Sequence, residues 1–114
     1  MTELRLSDLS TARQDFVRRC QRLDRGTIRD LEVHDGEPVF GPNTEVLRDL
    51  KLDGDEAPRP EQDLTDFVVS KEIRRLVSML DVLQNGIIEQ IEVRAGLPRR
   101  VIFKAADPAH RKLP

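Results

Sequence analysis

The chain has one cysteine, no tryptophan, no tyrosine and two histidines in 114 residues. A single cysteine excludes an internal disulfide. Cys20 falls on the apolar side of a helical pattern, which predicts a buried, unreactive thiol. Without Trp or Tyr, stacking against single-stranded bases would fall to four phenylalanines. One cysteine and two scattered histidines do not supply a conventional structural zinc site. Asp53, Asp55 and Glu56 lack the glycine and the distal glutamate of a calcium loop. No glycine-rich phosphate loop is present, because Gly26 and Gly86 stand singly and each precedes a β-type run. No apolar run reaches the length of a membrane-spanning helix, and the N-terminus has no apolar signal region. A cytoplasmic location, no membrane partner and no metal or cofactor are therefore expected.

What the sequence does have is a phrase written twice. With Leu23 set on Leu83 and no gaps, Leu23, Gly26, Ile28, Glu32, Val33, Gly36 and Pro38 are identical to Leu83, Gly86, Ile88, Glu92, Val93, Gly96 and Pro98. Leu31 and Ile91 are a conservative eighth pair, and Ser10/Ser70 and Val17/Val77 extend the match weakly upstream. Two copies are too few for a solenoid, so a duplicated supersecondary unit is the better reading. Before each shared glycine lies an apolar stripe of helical period: Ala12, Phe16, Cys20 and Leu23, then Ile73, Leu76, Val77, Leu80 and Leu83. Ser10, or Thr11 with Gln14, suits the first helix start, and Ser70 the second. Gly26 and Gly86 read as helix stops, since glycine accepts the left-handed position past a helix end.

Short β-type runs follow each stop. Asp35-Gly36 predicts a two-residue hairpin turn with positive φ at both positions. Ala95-Gly96 resists that turn at alanine, which favours a type I turn with a bulge in the second copy. With 35 and 36 in the turn, Val33 faces Pro38 in a non-hydrogen-bonded pair. Proline costs no hairpin bond there and blocks a further strand, so Pro38 and Pro98 suit sheet edges. Ile28 and Ile88 are out of step with Leu31/Val33 and Ile91/Val93, and a β-bulge would let all of them reach the core. The expected fold class is α+β: an αββ–αββ chain with about four antiparallel strands and two main helices on one face. A single domain over 1–114 is expected, with the first copy at about 8–40, an acidic connector at 41–64, the second copy at about 65–104 and a tail at 105–114. Within the connector, "NTEVLRDLKL" reads as a short helix capped at Asn43 or Thr44, and "DGDEAPRP" as a loop.

Charge is partitioned along the chain. Residues 35–66 hold ten acids and three bases, 13–29 six bases and two acids, and 94–112 six bases and one acid. The second hairpin thus presents Arg94, Arg99, Arg100 and Lys104 as contacts for an anionic partner. A helix followed by such a hairpin could end a winged helix, which makes a nucleic-acid-binding regulator the alternative function. The whole-chain pI of about 5.7 weighs against it. Catalysis finds no constellation. His34 adjoins a turn, His110 lies in the tail, and Glu32 and Glu92 fall on the outer strand faces. The repeated residues all have backbone or packing roles, so the expected function is a non-catalytic protein-interaction or adaptor module, with a homodimer among its forms.

Overall fold

The computed structural model describes residues 3–53 and 64–104. It contains two helices, α1 (Thr11–Leu23) and α2 (Lys71–Leu83), and five strands: β1 (Gly26–His34), β2 (Glu37–Val39), β3 (Glu45–Arg48), β4 (Gly86–Arg94) and β5 (Leu97–Phe103). The strands form one antiparallel sheet in the order β2–β1–β4–β5, with β3 also on β1. The fold is α+β with five strands rather than about four.

Each helix starts on serine. The Ser10 hydroxyl accepts from the Arg13 N–H at 3.2 Å and that of Ser70 from the Ile73 N–H at 3.3 Å. Such a cap is worth about 1 kcal/mol. Gln14 plays no part in it; its amide donates instead to the Leu9 carbonyl at 2.9 Å. The helix ends differ from the expectation. The residues of positive φ are Asp24 (φ 63°) and Gln84 (φ 61°), two positions before the glycines; each centres a three-residue turn closed by the Arg25 and Asn85 N–H groups on the Leu23 and Leu83 carbonyls, and their own N–H groups donate to the Cys20 and Leu80 carbonyls. Gly26 opens β1 instead, and it is required by close approach: a Cβ there would stand 2.1 Å from the Leu47 carbonyl oxygen of β3.

Both hairpins close through two residues of positive φ: Asp35 (52°) and Gly36 (77°), then Ala95 (56°) and Gly96 (74°). At Ala95-Gly96 the two-residue turn forms as at Asp35-Gly36, and the type I alternative for the second copy does not. The reason is an external partner for each turn. The Gly36 N–H donates to the Gln84 carbonyl at 2.7 Å, and the Gly96 N–H to the Asp24 carbonyl at 2.9 Å. Each turn thus docks on the end of the helix from the other half of the chain. Asp35 N–H adds a bond to Asn85 Oδ1 at 3.0 Å. Arg13 secures the first turn further, donating from Nη2 to the Gly36 carbonyl at 3.0 Å and to Asp81 of α2 at 2.6 Å.

Val33 pairs with Pro38 and Val93 with Pro98, on the two outer strands of the sheet. The central ladder joins β1 to β4, from Gly26 opposite Val93 to Val33 opposite Gly86. It skips Asp30 and Glu89, and Asp30 takes φ 54°. This irregularity resets the strand phase, so Ile28, Leu31 and Val33 are all buried, as are Ile88, Ile91 and Val93. Full burial of such a side chain contributes roughly 1.5–3 kcal/mol. Phe16, Cys20 and Leu23 of α1 and Leu76 and Leu80 of α2 pack on that face, with Leu83 partly buried beside them.

Residues 45–48 form a strand, which corrects the helix expected from Asn43 or Thr44. β3 occupies the half of the β1 edge that the three-residue β2 leaves open, pairing Gly26 to Arg48 and Arg29 to Glu45. Thr44 holds the intervening loop, its hydroxyl donating to the Asp30 carbonyl at 2.9 Å. The expected loop at 53–60, all but Asp53, and the expected tail at 105–114 lie outside the described residues.

A second cluster joins the segments that lead into the helices: Leu6, Leu9, Val17, Phe67, Val69 and Ile73. Leu6 N–H donates to the Phe67 carbonyl and Val69 N–H to that of Leu4, both at 2.9 Å. Asp66 clamps the crossing, accepting from Arg5 Nε and the Ser7 N–H at 2.9 Å each. The Arg5 hydrogen bond, then that from the Ser7 backbone, hold its carboxyl down at about 2.

Two predictions follow from this architecture. Valine resists positive φ at a cost of about 1–3 kcal/mol. Gly36→Val and Gly96→Val should therefore each lower the melting temperature by several degrees, roughly 4–8 °C per kcal/mol in a domain of this size. Circular dichroism melts check this, and unchanged midpoints in both variants would contradict the turn assignment. The Asp66 carboxyl is depressed in the folded state, so its contribution is fully present above the ordinary value of 3.8 and is lost as pH falls towards 2. Wild type should melt above Asp66→Asn at neutral pH, and the two midpoints should converge between those pH values. A gap that persists at the acid end would show that the carboxylate is not the source.

Candidate functional site

Among the described residues the sheet has one face covered by helices and one open face. Residues directly opposite each other on neighbouring strands share a face. The row Val46–Ile28–Ile91–Val101 faces the helices, with Val46 at its end left 50% exposed. The rows of the open face are Leu47–Thr27–Glu92–Arg100, Glu45–Arg29–Gln90–Ile102 and Val39–Glu32–Ile87. Four apolar side chains stand in these rows: Val39 is 37% exposed, Leu47 43%, Ile87 56% and Ile102 40%. Glu32 and Glu92 lie on this outer face as expected, and neither adjoins the other.

The four cations singled out in the sequence do not gather at one point. Arg94 donates from Nε to Glu92 Oε1 at 2.6 Å, and Arg100 stands directly across from Glu92. These three belong to the open face. Arg99 is the extra residue where the β4–β5 register shifts between Glu92 and Val93, and it turns the other way. Its Nη1 donates to Glu72 Oε2 of α2 at 3.1 Å, and its Nε to the Arg94 carbonyl at 3.3 Å. The Glu72 carboxyl is held below its ordinary value, first by its own backbone N–H and further by the Ser70 hydroxyl and Arg99. Lys104 is exposed just beyond β5. The structural residues fall as described above: Gly36, Gly96, Pro38 and Pro98 in and beside the turns, Gly26 and Gly86 at strand starts.

Arg99 also divides two grooves. One, of about 300 Å³, has Phe67, Ile73 and Leu97 among its walls and Gln21 at its base. The other, of about 230 Å³, lies between α2 and β5 and is lined by Glu72, Arg75, Leu76, Met79, Pro98, Arg99, Arg100 and Val101. Arg75 and Arg100 make no ion pair among the described residues. This groove was not visible as a site in the sequence. Its signals there were Arg75 on α2 and the small Val101.

The chemistry of the remaining groups is limited. His34 is exposed and its Nε2 lies 3.1 Å from Glu32 Oε1, an i, i+2 neighbour on the same strand. No group of three or more His, Cys, Asp or Glu residues is placed to hold a metal ion among the described residues. No helix of the described residues is long and apolar enough to cross a membrane. Cys20 is wholly buried in the core, and desolvation pushes its thiol up to about 12.

No protein-family model, curated protein or solved structure compared with this chain matches it.

The burial of Cys20 has a direct readout. A thiolate-seeking disulfide reagent should leave the folded protein unlabelled near neutral pH and label it stoichiometrically in denaturant. Rapid labelling without denaturant would contradict the packing of α1 on the sheet.

Proposed function

We propose that the chain is a duplicated αββ unit that serves in the cytoplasm as a non-catalytic protein-interaction module. Its partner is another protein chain, a second copy included. The observation that carries this reading is the helix-free sheet face, where Val39, Leu47, Ile87 and Ile102 stand exposed among charged neighbours. Apolar side chains ringed by charge are the composition of a contact surface. The duplication is supported by bonds that recur sixty residues apart. Gly26–Val93 answers Gly86–Val33, and Gly36 N–H to Gln84 answers Gly96 N–H to Asp24.

The rival reading, a nucleic-acid-binding regulator, draws on Arg94, Arg99, Arg100 and Lys104 of the second hairpin with Arg74 and Arg75 of α2; of these, Arg74, Arg75, Arg100 and Lys104 have no ion pair among the described residues. Against it stands the compensation of Arg94 by Glu92 and of Arg99 by Glu72, which lowers the charge offered to a phosphate backbone.

Partner capture from the native host with wild-type and Ile87→Lys baits tests the first reading. The expected result is partner recovery with wild type and loss with the variant at an unchanged melting temperature. Titration of duplex and single-stranded DNA at two salt concentrations tests the second, and no binding is expected. Salt-sensitive binding that disappears in Arg99→Ala/Arg100→Ala would instead favour the rival.

A further inference from the structure

The two halves of the chain differ in what lies between helix and outer strand. Val39 stands opposite Glu32, and Arg100 opposite Glu92. Matched by strand pairing, Phe40 therefore takes in the first half the place of Val101 in the second. Phe40 packs against the core, its ring 6.3 Å from that of Phe16 and stacked on it. The Arg19 guanidinium lies 4.2 Å from the centre of the same ring. Sixty residues on, Leu76 stands for Phe16 and Met79 for Arg19. No ring fills the space, and the groove of about 230 Å³ is what remains.

Three features of that groove bear on its occupant. Its floor of Leu76, Met79 and Val101 is apolar and has room for one ring. Its rim carries Arg75, which has no ion pair among the described residues, and Arg99, which meets Glu72; Arg100 borders the groove from β5, with its side chain in the row of Glu92 on the open face. β5 also has no strand on its outer edge among the described residues. Pro98 offers no N–H at the start of that edge, so pairing has to lie beyond it.

We propose that the α2–β5 groove takes an aromatic side chain from an acidic, extended peptide segment that pairs along the free edge of β5. The inference rests on the protein-interaction reading and names the partner's chemistry at a second surface. Added strands bond through the main chain and gain specificity from side-chain pockets, as this edge and groove would provide. Acidic residues beside the ring answer Arg75, whose guanidinium group meets no carboxylate among the described residues, and the groove keeps a net positive charge because Arg99 is balanced by Glu72. The ring itself would repeat the contact that Phe40 makes within the chain, apolar below and beside a guanidinium. A polyanion such as DNA could meet the rim but has no aromatic side chain for the floor.

The test selects a displayed library of short random peptides against the full chain. Enriched peptides are then titrated, by fluorescence anisotropy, into wild type, Val101→Phe, Arg75→Glu and Ile87→Lys. The expected enrichment is an aromatic residue flanked by Asp or Glu. Val101→Phe fills the groove with the chain's own ring, so binding should weaken roughly tenfold or more while the melting temperature holds. Replacing the peptide's ring with alanine should cost a similar factor, Arg75→Glu should weaken binding, and Ile87→Lys should leave it unchanged. Absence of enrichment, enriched peptides without a ring, or equal binding by wild type and Val101→Phe would overturn the proposal. Peptides lost with Ile87→Lys but kept by Val101→Phe would overturn this site while sparing the interaction reading. Salt-sensitive capture of duplex DNA that ignores Val101→Phe, with no peptide enriched, would overturn both.

Discussion

The exchange of hydrogen bonds between hairpin turns and helix ends is the constraint on which the other contacts depend. A helix terminates with carbonyls that have no partner within it. A turn with positive φ at both central residues likewise leaves N–H groups pointing away from its hairpin. Here the carbonyls of Asp24 and Gln84 accept from Gly96 and Gly36, so each deficit satisfies the other across the molecule. The exchange fixes the angle at which each helix returns to the sheet, and so which stripe of α1 and α2 faces Ile28, Leu31, Ile88 and Ile91. It also explains why Ala95 is held at φ 56°, a conformation that costs alanine free energy in isolation.

The same arrangement leaves the sheet asymmetric in use. Both helices cover one face, and the other is left with mixed rows of charge and aliphatic surface. Along the outer strands the two halves diverge. β2 stops after three residues and β3 resumes beyond a loop, while β5 continues for seven. Phe40 sits at the point of interruption and packs into its own half, whereas β5 passes the equivalent point with Val101 and borders a groove beside α2 among the described residues. Function is therefore most economically sought where the halves differ, since what they share is accounted for by backbone geometry and core packing.

Much of the fold could be read in the sequence because its signals were local. Asp35-Gly36, the serine caps, the paired prolines and the phase break at Ile28/Leu31 each have a short-range physical cause. The misreadings came from distant ones. Glu45–Arg48 is too short to declare a period, and it is a strand because β1 has a vacant edge. Asp24 and Gln84 carry the positive φ and turn their carbonyls to hairpins about fifty to seventy residues away, where sequence alone pointed to the glycines two positions on. The site was less accessible still. That Arg99 meets Glu72 follows from α2 crossing β5. Setting residues 23–40 on 83–100 without gaps also puts Phe40 against Arg100. The register shift at Arg99 moves the match to Val101, so the missing ring emerges only from strand pairing.

The central ladder has a consequence for how the chain reaches this state. Gly26 meets Val93 and Val33 meets Gly86, partners far apart along the backbone. Closing so long a loop loses chain entropy before any contact repays it, and topologies dominated by such pairings fold slowly for their size. Neither hairpin can dock its turn until the opposite helix has formed, so the halves have no sequence of separate completions available to them. The side of β1 that meets β4 therefore has no partner strand until the second half of the chain has come back to it, whatever order the remaining contacts take.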